Sequence, residues 1–287
     1  MNDTETTAFH FGTKAETLTH LRKYNTRFYV PPLIYFTNEE WGNNQEKILE
    51  KIHDAFPGKN KKAAIRSSVI KEDGNASTHA GAYDSILNVP VSNITSLTNS
   101  IEKVLASYGE EAIPLDQVLV QEMVCDVAVS GVIMTFDVDD GSPYYVIGYD
   151  DYSGRTDTIT GGTGEHKAVL IHRNAGEANI KSSRVRSMLS LARDVESLLG
   201  IQPMNIEFAI DKENKASVFQ VRRITTIDNW RDNIDGMVTK CLNHLATQID
   251  SLNEPRSRLV GEKTILAKMS DWNPVISWDT VPSRIRN

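Results

Sequence analysis

Met204-Asn205-Ile206-Glu207-Phe208-Ala209-Ile210-Asp211 leads through the polar run Lys212 to Lys215 into Ala216-Ser217-Val218-Phe219-Gln220-Val221-Arg222. Two alternating runs around a short polar turn predict a β-hairpin. A turn centred on Glu213-Asn214 sets Glu207 directly opposite Gln220, with Arg222 two residues further along on the same face. Ile206, Phe208, Ile210, Phe219 and Val221 form the other stripe, expected to face a core. The polar face therefore gathers a carboxylate, an amide and a guanidinium. A carboxylate oxygen and an amide carbonyl are hard ligands suited to Mg²⁺, which also takes oxygens from substrate phosphates. An arginine beside them matches phosphate bidentately. On alternation alone a solvated outer face is the default, because polar outer faces are the norm in antiparallel sheets.

The surrounding chain is 287 residues long and 40% hydrophobic, with 31 Lys+Arg against 38 Asp+Glu, a formal net charge of −7. That length allows one large or two modest domains. The acidic balance argues against a general nucleic-acid or anionic-membrane binder, while leaving room for a local basic pocket. No run approaches the roughly 18 apolar residues of a membrane span, and the start Met1-Asn2-Asp3-Thr4-Glu5 is the wrong chemistry for a signal peptide. Cys125 and Cys241 have no CxxC partner, which disfavours a disulfide framework or a structural zinc site. The expectation is a soluble, cytoplasmic protein with no nucleic-acid or membrane partner.

Ahead of the hairpin, Thr13-Lys14-Ala15-Glu16 has capping-box spacing, with Ala15, Leu18 and Leu21 on one helical face. Phe28 to Phe36 reads as extended, and Pro31-Pro32 confines any strand there to an edge or an irregular one. A helix is predicted from Asn38 to about Phe56, a short strand over Ala63 to Ser67, a long loop over 69–84, and a helix over Ser92 to Ser107. After Pro114 the texture changes. Val118–Val124, Val129–Phe136, Tyr144–Tyr149, Arg155–Thr160 and Ala168–His172 look like strands of one antiparallel sheet. Helices are expected over Ser182 to Leu199, stopped by Gly200, and from about Asp232 to Leu252. The expected class is α+β in two lobes, with divisions at 1–112, 113–228 and 229–287.

Other segments add to the hairpin. Ala63-Ala64-Ile65-Arg66-Ser67-Ser68 puts an arginine and two hydroxyls at a strand end, where loops carry ligands. Gly12-Thr13-Lys14 puts a flexible residue and a lysine at a helix N-terminus, whose N–H groups and dipole favour an anion. Val118-Leu119-Val120-Gln121-Glu122-Met123-Val124 fits an interlobe strand whose backbone pairs with a base edge. Each signal is common when taken alone.

Together these blocks resemble, in order from about Phe11 to Thr225, the N-terminal ATP-grasp nucleotide-binding domain of the pyruvate phosphate dikinase and phosphoenolpyruvate synthase family. Gly12-Thr13-Lys14-Ala15-Glu16-Thr17-Leu18 resembles its opening GGKxxNL, with Thr13 in place of a glycine. Ala64-Ile65-Arg66-Ser67-Ser68, Glu72-Asp73 and Ala80-Gly81-Ala82-Tyr83-Asp84 are similar to its VRSSA…ED…AGxYxT block. Gln121-Glu122-Met123-Val124 and Ser130-Gly131-Val132-Ile133-Met134-Thr135 resemble VQxMV and SGVxFT. Glu207, Gln220, Arg222 and Ile224-Thr225 resemble E…QxRPIT, with Arg223 where proline is usual. The resemblance implies an ATP-grasp fold with ATP between antiparallel sheets. It implies Lys14, Arg66 and Arg222 on the ATP phosphates, with Arg66 and Arg222 acting in catalysis, and Glu207 and Gln220 on Mg²⁺. Adenine would lie at Gln121, Glu122, Met123 and Val124, through backbone groups of Glu122 and Val124. Cations and metal around phosphates are most of what phosphoryl transfer asks of a protein.

The resemblance also implies a reaction: transfer of a phosphoryl group from ATP to a histidine on a separate carrier domain, giving AMP, with a small-molecule acceptor bound elsewhere. No block similar to the carrier's TGGxxSHAA occurs in the chain, so the carrier is expected on another domain, in the same longer chain or in trans. His79 aligns with the AGxY block, as a loop residue near the nucleotide rather than a carrier. Asp150 to Asp157, Thr160-Gly161-Gly162 and Met269-Ser270-Asp271-Trp272-Asn273-Pro274 resemble a divergent branch that includes L-glutamine kinase. A non-catalytic ATP-sensing module and an ordinary ATP-grasp ligase are the remaining readings. Gly161-Gly162-Thr163-Gly164 is expected as a hairpin turn. Asp137, Asp139, Asp140, Asp150 and Asp151 are expected as solvated turn residues, Cys125 and Cys241 as core thiols, and Trp272 and Trp278 as packing residues.

Overall fold

A computed structural model describes residues 9, 11–24, 26–69, 85–156, 167–225, 229–231 and 233–252. Two antiparallel sheets carry the chain. The first has the order β1 (Leu33–Thr37), β4 (Gln117–Glu122), β2 (Lys62–Ser68), β3 (Ser85–Pro90), and the second β7 (Lys167–His172), β6 (Tyr144–Asp150), β5 (Val127–Met134), β8 (Met204–Asp211), β9 (Ala216–Arg223). With six helices among the described residues, the class is α+β, as expected. The expectations at Glu72-Asp73, His79, Ala80 to Asp84, Gly161 to Gly164 and the segment after Leu252 lie outside the described residues.

The helices follow their local signals. α1 (Lys14–Leu21) opens on a complete capping box between Thr13 and Glu16, which satisfies two N–H groups that a helix start leaves open. The helix predicted from Asn38 to Phe56 is two: α2 (Asn38–Asn43) and α3 (Gln45–Ala55). Asn44 leaves helical geometry at φ −158°, and its side chain accepts from the Lys47 N–H to start α3; asparagine competes well for such a role. α4 (Ile94–Ala106) is capped by Asn93 and α5 (Ser183–Leu199) by Ser182. Gly200, at φ +84°, ends α5. α6 is Ile234–Leu252.

Alternation on the first sheet sorts side chains to two cores. Ile65, Val118 and Val120 face α3 and α4, packing with Ile48, Ile52, Phe56, Leu97, Ile101 and Val104. Leu33 and Leu119 join the second core, with Ala15, Leu18 and Leu21 of α1, Met188, Leu189 and Val195 of α5, and Ile133, Ile206 and Phe208 of the second sheet. Burying one Leu- or Ile-sized side chain contributes about 1.5–3 kcal/mol.

Two expectations change. β4, grouped by sequence with the run after Pro114, is hydrogen-bonded between β1 and β2, so the chain passes between sheets after Glu122, not at 113. An apolar run does not disclose its partner strands; those follow from the pairing geometry of the whole sheet. Cys125 and Cys241 are exposed rather than in a core, because Cys125 follows the end of β4 and α6 buries none of the side chains described for it. The proline expectation holds, since β1 is an edge strand.

Glycine packing gives a test. A Cβ on Gly131 would stand 2.1 Å from the Gly148 carbonyl oxygen, backbone that cannot swing away, whereas one on Gly42 in α2 would meet nothing within 4 Å. Gly131→Ala is expected to destabilise by about 3 kcal/mol, and Gly42→Ala to stabilise by about 0.5–1 kcal/mol. Urea unfolding of both variants reads the opposite signs; equal effects would contradict the packing described.

Candidate functional site

The hairpin β8–β9 has Glu207 opposite Gln220 and Asn205 opposite Arg222, as the alternation predicts. It reaches that pairing by a different route. From Phe208 outward the partners are Val218, Ser217 and Ala216, and the register shifts between Glu207 and Phe208. The turn is therefore centred nearer Glu213, where Asn214 sits at φ +65°, and a bulge at Phe219 takes up the difference. Val218 thus packs in the core with Val221, while Phe219, expected on the core stripe, lies outside that cluster. The bulge has a use: the Phe219 carbonyl accepts from Nη1 of Arg66 at 3.3 Å.

Arg66, on β2, reaches across from the first sheet. Its Nη2 donates to Oε2 of Glu207 at 2.5 Å, with side chains 14% and 17% exposed. Burial works to raise the Glu207 carboxyl, but the charges of Arg66, Lys14 and Arg222, with the Arg66 hydrogen bond, outweigh it and hold the carboxyl below its usual range. The three cations singled out from sequence therefore act on one carboxylate, from α1, β2 and β9. Lys14 is 8% exposed, unusual for lysine. Arg222 makes no ion pair or hydrogen bond among the described residues.

Three buried side-chain atoms here have no hydrogen-bond partner among the described residues: Nε of Arg66, Nε2 of Gln121 and Oδ1 of Asn205. Gln121 is 2% exposed. Leaving such an atom unpaired costs about 1–3 kcal/mol, so each calls for a partner beyond those described. Gln220 is buried opposite Glu207 in the ladder. Asn205 was not singled out from sequence; the available signal was a second polar residue in an apolar strand, two positions before Glu207.

The segment after β4 is placed as an interlobe strand end. The Glu122 N–H donates to the Pro32 carbonyl and the Met123 N–H to the Lys62 carbonyl, both at 2.9 Å. The Glu122 side chain is paired with Lys61, so only its backbone remains for a ligand. The Val124 N–H makes no hydrogen bond among the described residues.

One expectation is corrected. The N–H groups at the start of α1 do not await an anion, because Thr13 donates to Oε2 of Glu16, Glu16 to Oγ1 of Thr13, and Ala15 to Oγ of Ser68. Gly12 is there because a Cβ would lie 2.3 Å from that Glu16 oxygen. The Lys14 side chain is what α1 brings to the site. Gln117 anchors it, accepting from Oγ1 of Thr13 at 2.6 Å and donating to Oε1 of Glu16 at 3.0 Å. The acidic cluster is only in part as expected: Asp137, Asp140 and Asp150 hold turn N–H groups, but Asp150 is buried and Asp151 pairs with Lys167 and Arg184 instead of standing in solvent. Among the described residues no three His, Cys, Asp or Glu side chains form a metal cluster, and no helix is long and apolar enough to cross a membrane.

No family model and no curated protein sequence matches the chain. Among solved structures, the D-alanine-D-alanine ligase from Coxiella burnetii is similar over 74% of this chain and 47% of its own, at 12% identity and TM-score 0.41. A protein from Pyrococcus horikoshii Ot3 is similar over 73% and 88%, at 14% identity and TM-score 0.44. The RimK domain ATP-grasp protein from Sphaerobacter thermophilus is similar over 75% and 61%, at 12% identity and TM-score 0.40. The chain spans about half the length of the first of these. Likeness of this degree says nothing about individual residues, and the chemistry of the site rests on its own geometry.

The Glu207 carboxyl sets a pH prediction. A carboxyl lowered in the folded state contributes stability that is fully present above its unfolded value, about 4.3, and lost as pH falls through the folded value. Wild type should exceed Glu207→Gln in stability at pH 7, with the gap closing below about pH 4. Arg66→Ala leaves the carboxylate short of its nearest cation and is expected to cost about 3 kcal/mol. Denaturant unfolding across pH checks both, and a pH-independent gap between wild type and Glu207→Gln would contradict the coupling.

Proposed function

We propose that the chain is a Mg²⁺·ATP-binding phosphotransferase domain of ATP-grasp type, delivering a phosphoryl group from ATP to a histidine on a separate carrier domain, with AMP as the nucleotide product and the second phosphoryl group passed to water as inorganic phosphate. The observation that carries the reading is the convergence of Lys14, Arg66 and Arg222 on the buried Glu207, at the meeting of the two sheets. Arg66 is paired with Glu207, while Arg222 makes no ion pair among the described residues. A guanidinium so placed suits a polyanion, and the Arg66 Nε, buried and without a partner among the described residues, is a further donor. An acidic chain can hold ATP when its few cations are gathered in this way.

The donor set fits a magnesium ion. Mg²⁺ is usually held by one or two carboxylates and the phosphates themselves rather than by an all-protein cage. Here Glu207 and Gln220 would hold it, with the partnerless Oδ1 of Asn205 as a further oxygen on the same face. When bound, the ion would supply charge neutralisation at the phosphates. Arg66 and Arg222 would orient the phosphates and take up charge developing in transfer. Lys14 would neutralise charge from the α1 side, and the backbone of Glu122 and Val124 would hold adenine.

Glu207→Ala and Arg222→Ala should each weaken Mg²⁺·ATP binding by roughly ten- to a hundredfold, the loss of one charged contact of about 1.5–3 kcal/mol. Titration calorimetry, with EDTA as the metal-free control, measures this. Product analysis with a histidine carrier domain supplied separates the chemistries: AMP supports the proposal, and ADP supports acyl-phosphate ligation. Unimpaired AMP formation by either variant would rule the assignment out.

A further inference from the structure

We propose that Gln117 is a positioning residue for the cleft: by bonding both members of the α1 capping box it fixes the rotation and axial place of that helix, and so sets how well Lys14 meets a phosphate. The inference rests on the reading of the cleft as a Mg²⁺·ATP site and names what holds one of its cations in register.

Gln117 opens β4, whose run Gln117-Val118-Leu119-Val120-Gln121 is buried throughout. Alternation splits that run between two faces. Val118 and Val120 pack with α3 and α4, whereas Leu119 packs with Ala15, Leu18 and Leu21 of α1. Gln117 shares the Leu119 face. Across the ladder it stands opposite Ser68, and Leu119 stands opposite Arg66. The seat of α1 is therefore built beside Arg66, on the same two strands.

A leucine at 117 would simply extend the apolar row beneath the helix. The glutamine does something else. Its side-chain oxygen accepts from Oγ1 of Thr13 at 2.6 Å and from Oγ of Ser68 at 3.4 Å, and its Nε2 donates to Oε1 of Glu16 at 3.0 Å. Oγ of Ser68 in turn accepts from the Ala15 N–H at 2.9 Å. Residues 13, 15 and 16 are thus all held, and Lys14 lies between them. The Tyr108 hydroxyl donates to the Gln117 carbonyl at 2.7 Å, fixing the glutamine from the other side. Thr13, Ser68 and Gln117 are all buried, and a buried chain of hydrogen bonds specifies one arrangement of its members.

Apolar contact and hydrogen bonding divide the work. Burial of Ala15, Leu18 and Leu21 is non-directional, so it holds α1 against the sheet without choosing its rotation. A slip of one residue along a helix is about 1.5 Å and about 100°, enough to carry Lys14 away from where its charge acts on Glu207. Misplacement by about 1 Å can cost about a hundredfold where groups must meet a substrate in register. The bonds to Thr13, Glu16 and Ser68 forbid that slip.

The test is a double-mutant cycle on the full chain, with Mg²⁺·ATP affinity read by titration calorimetry. Lys14→Met is expected to weaken binding about ten- to a hundredfold, the loss of one charged contact. Gln117→Leu should weaken it about three- to tenfold, and should add nothing in the Lys14→Met background. Unchanged affinity in Gln117→Leu, or losses that add in the double variant, would overturn the proposal, because a purely structural role does not pass through Lys14. A second readout needs no nucleotide. The stability gap between Glu207 and Glu207→Gln at pH 7 should narrow when Gln117→Leu is introduced, and should not narrow further when it is introduced beside Lys14→Met. An unnarrowed gap would overturn the placing of Lys14 by Gln117, whatever the cleft binds. Absence of Mg²⁺·ATP binding by wild type would instead overturn the nucleotide reading. If Gln117→Leu does not fold, Ser68→Ala breaks the same chain of bonds at one atom and takes its place in the cycle.

Discussion

Arg66 is the tie between the two sheets. Its guanidinium leaves β2 and meets both the Glu207 carboxylate and the Phe219 carbonyl of the hairpin. A largely buried charge pair is weak evidence of stability, because desolvating the two groups costs as much as their attraction returns. Here Lys14 and Arg222 also act on the same carboxylate, and the two sheets share an apolar core as well, with Leu33 and Leu119 packed among Ile133, Ile206 and Phe208. The pair that links the sheets is the one a polyanionic ligand would share in the proposed function.

The elements around the tie hold its members in place. Gln117 ties both ends of the α1 capping box to β4, and Ser68 takes the Ala15 N–H. These bonds seat Lys14 at the cleft while leaving little of the helix N-terminus to bind anything. A glycine and a lysine at a helix start suggest a phosphate loop, yet Gly12 answers to the Glu16 carboxylate above it. The same residues support the site by a different physical route from the one their pattern suggests.

Much was legible because local rules act locally. The capping box of α1, the serine and glycine that bound α5, and the edge position of the Pro-Pro strand each depend on a few neighbouring residues. The polar face of the hairpin was legible for the same reason, since alternation has a period of two. The bulge at Phe219 was not, because turn centre and bulge compensate: Glu207 meets Gln220 either way, while the residue delivered to the core changes from Phe219 to Val218. Nor was Asn205, whose unpartnered oxygen is a property of its surroundings.

The sequence by itself determined which residues carry charge, which alternate, and which cannot donate a hydrogen bond. That is enough to nominate Lys14, Arg66, Glu207, Gln220 and Arg222 and to make the strand beside Pro31-Pro32 an edge strand. Only the tertiary structure decided that β4 belongs between β1 and β2, that Arg66 crosses to Glu207 from 141 residues away, and that Lys14 and Arg222 bear on the same carboxylate. The reason is range. Propensity, capping and alternation act over a few residues, whereas strand partnership and the field at a buried carboxylate depend on what distant segments bring to it.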